Sequence, residues 1–206
     1  MMGTFTAGAL KIINQKYRNR IHSIYGTSTG ASVGTYFKSN QLDIPYIFFT
    51  KYLTKKDFIR NNLFQYIFKI FFLKNSKIKD FVNLDYVVDV AKNTECSINL
   101  KNFKESKIKF YTKVINIDAT QTEYLDTYTN LFDKLKATSQ GGPFTSKPVQ
   151  INNNQYIDGG TIPSTIDLEL IKNNQDKIII YINPTQTSKL SKVILYPLHW
   201  IAALAL

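Results

Sequence analysis

The chain has 206 residues, 44% of them hydrophobic and 14% aromatic, with a formal net charge of +11. That length and apolar content suit one folded domain with its own core and exclude a disordered chain; one cysteine (Cys96) and two histidines (His22, His199) exclude an internal disulfide and a zinc site, so no metal or cofactor is expected. The basic balance suits nucleic acid or anionic lipid, yet no RNA-recognition signature, P-loop or repeat accompanies it, and no nucleic acid partner is expected.

In chain order, "AGALKIINQKY" (7–17) places Ala7, Leu10, Ile13 and Tyr17 at helical spacing. "RIHSIY" (20–25) is short and partly β-branched and predicts a buried strand. It runs into "GTSTG", Gly26-Thr27-Ser28-Thr29-Gly30, which has the form Gly-x-Ser-x-Gly. "TGASVGTYF" then offers small residues where a helix packs closely on a sheet. Strand, tight turn, helix is the setting in which such a turn lifts a serine hydroxyl out for nucleophilic attack.

Residues 41–81 mix aromatics with lysines, and Phe64, Ile67, Phe68 and Phe71 fall at helical spacing. A core-facing helix is the plain expectation. The alternative is a cap whose Phe48, Phe49, Tyr52, Phe64, Tyr66 and Phe71 enter a lipid head-group boundary. In it Lys51, Lys55, Lys56, Arg60 and Lys69 would meet phosphates. Strands are predicted in "KIKFYTKVINID" (107–118) and "EYLDTYT", and a helix over 129–137. "VQINNNQYID" predicts a hairpin that delivers Asp158-Gly159-Gly160. A helix around "TIDLELIKNN" and a strand at "KIIIYINP" follow. The apolar tail 193–206 is shorter than the roughly 20 residues a spanning helix needs, so core packing or an interfacial anchor is expected. No secretory signal opens the chain, and an intracellular place, cytoplasmic or peripheral to a membrane, is expected.

A serine nucleophile needs a proton acceptor. A Ser–acid–His triad in that chain order leaves only His199, inside the apolar tail, while His22 lies on the strand before the turn. Another solution needs no histidine. The early Gly-Thr-Ser-Thr-Gly, then Ala137-Thr138-Ser139, Pro143-Phe144 and the late Asp158-Gly159-Gly160 together resemble the patatin-like phospholipases. The resemblance runs from Gly3 to about Pro184. It implies a three-layer α/β/α fold around a mostly parallel sheet, as a single domain over 1–206. It also implies a Ser–Asp dyad: Ser28 as nucleophile between Gly26 and Gly30, and Asp158 as base on the Gly159-Gly160 turn. The activity implied is hydrolysis of a phospholipid or other acyl lipid; peripheral contact with an anionic membrane is instead what the aromatic–lysine composition of the segment Tyr46 to Phe81 suggests.

One departure bears on activity. The family's Gly-Gly-Gly-x-Arg/Lys-Gly loop, on a first strand, supplies oxyanion amides. Here Gly3 falls on its last glycine, Met2 stands in place of the basic residue, and the three glycines and that strand are missing. Gly3 and Thr29 are left as oxyanion donors. The expectation is therefore a hydrolase, impaired or N-terminally truncated, with a weak or inactive lipid- or protein-binding relative as the alternative. "TIPSTIDLEL" also lacks the family's Asn-x-Pro after Asp-Gly-Gly.

Overall fold

The computed structural model describes residues 2–60, 80–141, 145 and 147–161. Its elements in chain order are α1 (Met2–Tyr17), β1 (Ser23–Gly26), α2 (Thr29–Lys38), α3 (Ile44–Ile47), α4 (Leu84–Asn93) and α5 (Leu100–Glu105). There follow β2 (Lys109–Asn116), β3 (Gln121–Asp126), α6 (Leu131–Ala137), β4 (Val149–Ile151) and β5 (Asn154–Asp158). The expected helix and strand over 165–184 lie outside the described residues, as do Phe64, Tyr66, Phe71 and the tail. No helix among the described residues is long and apolar enough to cross a membrane.

The α/β class holds, and the sheet is mixed. Only β1 and β2 run parallel; β2–β3, β2–β5 and β4–β5 are antiparallel. The mostly parallel sheet expected from the resemblance is thus not what the described strands form. Short connections account for two of these pairs: four residues join β2 to β3 and two join β4 to β5, and links that short can only make hairpins; β5 returns to β2 through a long connection.

β2 is the organising strand because it has three neighbours. Alternate residues of a strand aim their backbone groups at opposite edges. Thr127 N–H donates to Phe110 C=O, which assigns the even-numbered residues of β2 to the β3 edge. Lys109 N–H donates to His22 C=O, and Ile117 N–H donates to Gln155 C=O, so the odd-numbered residues serve both β1 and β5. These two strands therefore share one edge, one after the other. β1 covers Lys109 to Thr112 and β5 covers Val114 to Asn116. Since β5 runs against β2, the C-terminal ends of β1 and β5 point at each other across Lys113. The joint is where the sequence motifs meet.

Helices cover the face of the sheet that carries Ile24, Phe110 and Val114. α2 lies so close that a Cβ on Gly34 would stand 2.9 Å from the Phe110 ring and 3.2 Å from Ile24. The main apolar cluster joins Ala31, Val33 and Tyr36 of α2 to Val90, Phe103, Phe110, Leu131 and Leu135. A smaller one joins Val114 to Ala137, Ile151 and Tyr156. Burial of such side chains, at roughly 25 cal/mol per Å², is the main force holding α2 and α6 to the sheet. On the other face Tyr25 stacks on Tyr111 at 5.1 Å and meets Tyr124 edge-on at 5.4 Å.

Two parts differ from expectation. Phe48 and Phe49, assigned above to a lipid-facing cap, are 2% and 4% exposed and belong to the main core, where Phe48 contacts the Tyr36 ring at 5.9 Å. They follow α3 directly, in a π-helical turn (Phe48–Tyr52), and that turn carries both rings inward. α4 and α5 fall in a stretch where no element is predicted. Each starts at an asparagine whose side chain caps it: Asn83 accepts from Tyr86 N–H, and Asn99 accepts from Asn102 N–H.

Candidate active site

The serine side is built by backbone geometry. β1 ends at Gly26 and α2 begins at Thr29, so Thr27 and Ser28 alone make the turn. Ser28 sits at φ 52°, ψ −124°, a region that costs a non-glycine residue on the order of 1–3 kcal/mol. The reversal is tight enough that a Cβ on Gly26 would stand 2.6 Å from Ala31 Cα. Only a glycine allows that approach. Gly30 is different: a Cβ there would meet nothing within 4 Å.

Ser28 occupies the N-cap of α2, where a serine ordinarily accepts a bond from an amide of the first turn. It makes no such bond. The hydroxyl is thus not consumed by capping, in contrast to the two asparagines at α4 and α5. The amides of the turn divide clearly. Ser28 N–H donates to Thr138 Oγ1 at 3.0 Å. Gly30 N–H donates to Thr27 C=O at 2.8 Å, and Ala31 N–H to the carbonyls of Thr27 and Ser28. Thr29 N–H has no partner among the described residues. It stands at the positive end of a ten-residue helix, where negative charge is favoured.

Hydrogen bonds, more than strain, define the aspartate side. Asp158 closes β5 and is half-buried. Its N–H donates to Gln140 C=O at 2.9 Å, and its C=O accepts from Thr161 N–H at 3.0 Å. Its Oδ1 accepts from Gly160 N–H at 2.8 Å. A Cβ on Gly159 would stand 2.6 Å from Lys113 C=O, so the turn is pressed against the joint in β2. The Cβ position of Gly160 lies 3.3 Å from Asp158 Oδ1 and 3.4 Å from Thr27 Cγ2. The carboxylate turn therefore lies beside the residue that precedes Ser28.

Of the residues singled out in the sequence, Gly26, Ser28, Thr29, Gly30, Asp158, Gly159 and Gly160 gather at this joint. Gly3 is elsewhere in the sequence pattern and in contact: it lies in the first turn of α1, where a Cβ would run into the Phe49 ring. His22 is exposed and serves the β1–β2 ladder through its carbonyl; His199, Pro143 and Phe144 lie outside the described residues. No group of three or more metal-ligating side chains occurs among the described residues. Thr138 had no role in the sequence, beyond its place in Ala137-Thr138-Ser139. It is 0% exposed; its hydroxyl donates to Lys113 C=O at 2.7 Å and accepts from Ser28 N–H.

Fold and site together define an α/β protein with a serine turn and an aspartate turn brought to one joint of the sheet. Residues 1–170 match the family described as patatin-like phospholipase, and the chain belongs to that family. The family is generally one of esterases and lipases acting on lipid substrates. No curated protein matches the chain.

Proposed function

We propose that the protein is a lipid acyl hydrolase that cleaves carboxylic esters through Ser28 and Asp158. Asp158 takes the proton of the Ser28 hydroxyl as Oγ attacks the ester carbonyl. Thr29 N–H, at the start of α2, donates to the oxyanion of the tetrahedral intermediate. Collapse expels the alcohol, which leaves with the proton from Asp158, and an acyl-enzyme remains. Water then attacks that ester as Asp158 takes its proton, and Asp158 returns that proton to Ser28 Oγ as the fatty acid leaves. The observation that carries this reading is the end-to-end convergence of β1 and β5 beside Lys113, which brings the serine turn and the aspartate turn together. Fatty acid release from phospholipid micelles by wild type, Ser28→Ala and Asp158→Asn tests it; equal release by all three removes the assignment.

A second reading, a weak or inactive lipid- or protein-binding relative, draws on Gly3. That glycine is packed in α1 under Phe49, and the family's glycine-rich loop has no counterpart among the described residues. One missing oxyanion donor raises a barrier by about 2.7–4 kcal/mol. Micelle binding by the wild type without fatty acid release would favour this reading.

We also infer peripheral contact with anionic membrane through the surface around residues 46–60. Tyr46 and Ile59 are 65% and 44% exposed, and Lys51, Lys55, Lys56 and Arg60 are exposed with them. Each basic residue near an anionic surface contributes about 1 kcal/mol, less as salt rises. Liposome sedimentation that ignores salt, anionic lipid content and charge reversal at Lys55 and Lys56 would rule the contact out.

A further inference from the structure

We propose that the four residues after α6, Thr138 to Gly141, form one strap that positions both nucleophile and base, with Thr138 as the positioning residue for Ser28. The proposal rests on the Ser28–Asp158 reading above. Thr138 is fully buried, and a buried hydroxyl is stable only when hydrogen-bonded. Its single proton goes to Lys113 C=O at 2.7 Å, so its oxygen is oriented to accept from Ser28 N–H at 3.0 Å. The chain Ser28 N–H to Thr138 hydroxyl to Lys113 carbonyl thus ties the strained turn to the β2 residue between β1 and β5.

The same strap reaches the base. Gln140 C=O, two residues on, accepts from Asp158 N–H at 2.9 Å. The Cβ position of Gly141 lies 3.4 Å from Asp158 Cβ and 3.6 Å from Oδ2, so the segment runs along the carboxylate. Its own position is fixed by α6, since Thr138 N–H donates to Lys134 C=O at 3.0 Å. A valine would fill the space of Thr138 equally well. The hydroxyl is what packing does not require. Because Ser28 N–H is held by Thr138, it is withdrawn from the oxyanion site, and Thr29 N–H becomes the donor.

Two measurements test the strap, one of them independent of turnover. In Thr138→Val, kcat for fatty acid release should fall about 10- to 100-fold while KM stays within about twofold; Thr138→Ser should return kcat to within about threefold of wild type. By NMR, the Ser28 amide should exchange with solvent at least about tenfold faster in Thr138→Val than in wild type, and not in Thr138→Ser. Unchanged kcat with unchanged Ser28 exchange in Thr138→Val overturns the proposal. A loss of kcat that serine does not restore, with the Ser28 amide still protected, also overturns it, because packing alone would then account for the loss. If wild type releases no fatty acid, the dyad reading fails and amide exchange alone decides the strap. If Thr138→Val does not fold, wild type decides: the Ser28 amide should be protected beside a fast-exchanging Thr29 amide, and equally fast exchange of both overturns the strap.

Discussion

The two turns that meet at the joint are held in opposite ways. Ser28 is fixed by what surrounds its backbone: a glycine under the first turn of α2, a left-handed φ, and a helix whose Ala31, Val33 and Tyr36 are buried in the main core. Asp158 ends a five-residue strand attached to the smaller cluster, and two backbone hydrogen bonds together with one to its own carboxylate hold the turn. On the proposed dyad the asymmetry has a chemical use: a nucleophile has to be aimed, which a rigid turn does, and a base has to stay reachable and hydrogen-bonded, which a half-buried carboxylate is. Position is mainly a packing problem on one side, with the single bond from Ser28 N–H to Thr138 added, and a polar one on the other.

Substitutions can break or sharpen that contrast. The largest effect should fall on chemistry, where the two sides are equal: Ser28→Ala and Asp158→Asn should each lower fatty acid release by about 10⁴-fold or more, with the fold kept by circular dichroism. A large loss from one alone would remove the pairing. Next come the two glycines of the serine turn. Gly26→Ala forces a Cβ to 2.6 Å from Ala31 Cα and should lower stability by about 3 kcal/mol in urea unfolding. Gly30→Ala, which meets nothing within 4 Å, should be neutral or raise stability by up to about 1 kcal/mol.

On the aspartate side, Gly160→Ala places a methyl 3.3 Å from Asp158 Oδ1. It should lower kcat several-fold while shifting stability by less than about 1 kcal/mol, the reverse of Gly26→Ala. The smallest effect lies away from the joint, at the exposed pair of Lys51 and Glu95. The Lys51 ammonium holds the Glu95 carboxyl below its ordinary value, and Glu95 holds Lys51 above its own. Any stability from the pair is therefore present between the ordinary carboxylate and lysine ranges. It is lost as pH falls through the lowered Glu95 value or rises through the raised Lys51 value. Glu95→Gln should leave the melting temperature at neutral pH nearly unchanged, and a large drop would show the pair to be structural.

What was legible in the sequence was local. Gly26 to Gly30 and Asp158 to Gly160 are readable because a tight turn imposes its residues within a few positions, and the hairpin into Asp158 because a two-residue link leaves no other pairing. What was not legible depends on distant partners. Nothing near Thr138 hints that its hydroxyl serves Ser28, and nothing in β1 or β5 says that they share one edge of β2. Phe48 and Phe49 looked like half of an aromatic–lysine surface because composition does not reveal which way a helical turn faces. α4 and α5 carry a local signal in the capping asparagines Asn83 and Asn99, although an asparagine alone marks a turn as readily as a helix start.

The bond from Ser28 to Thr138 spans 110 residues of sequence. A chain emerging from the ribosome therefore carries its whole Gly-x-Ser-x-Gly motif long before it has the partner that holds the turn. β1 must also wait for β2, its neighbour along the edge. Contacts this far apart form late because the intervening chain must first be ordered. The turn around Ser28 is thus assembled only once the segment from Lys109 to Asp158 has folded back onto it, and a fragment that stops short of Thr138 holds the motif without the means to shape it.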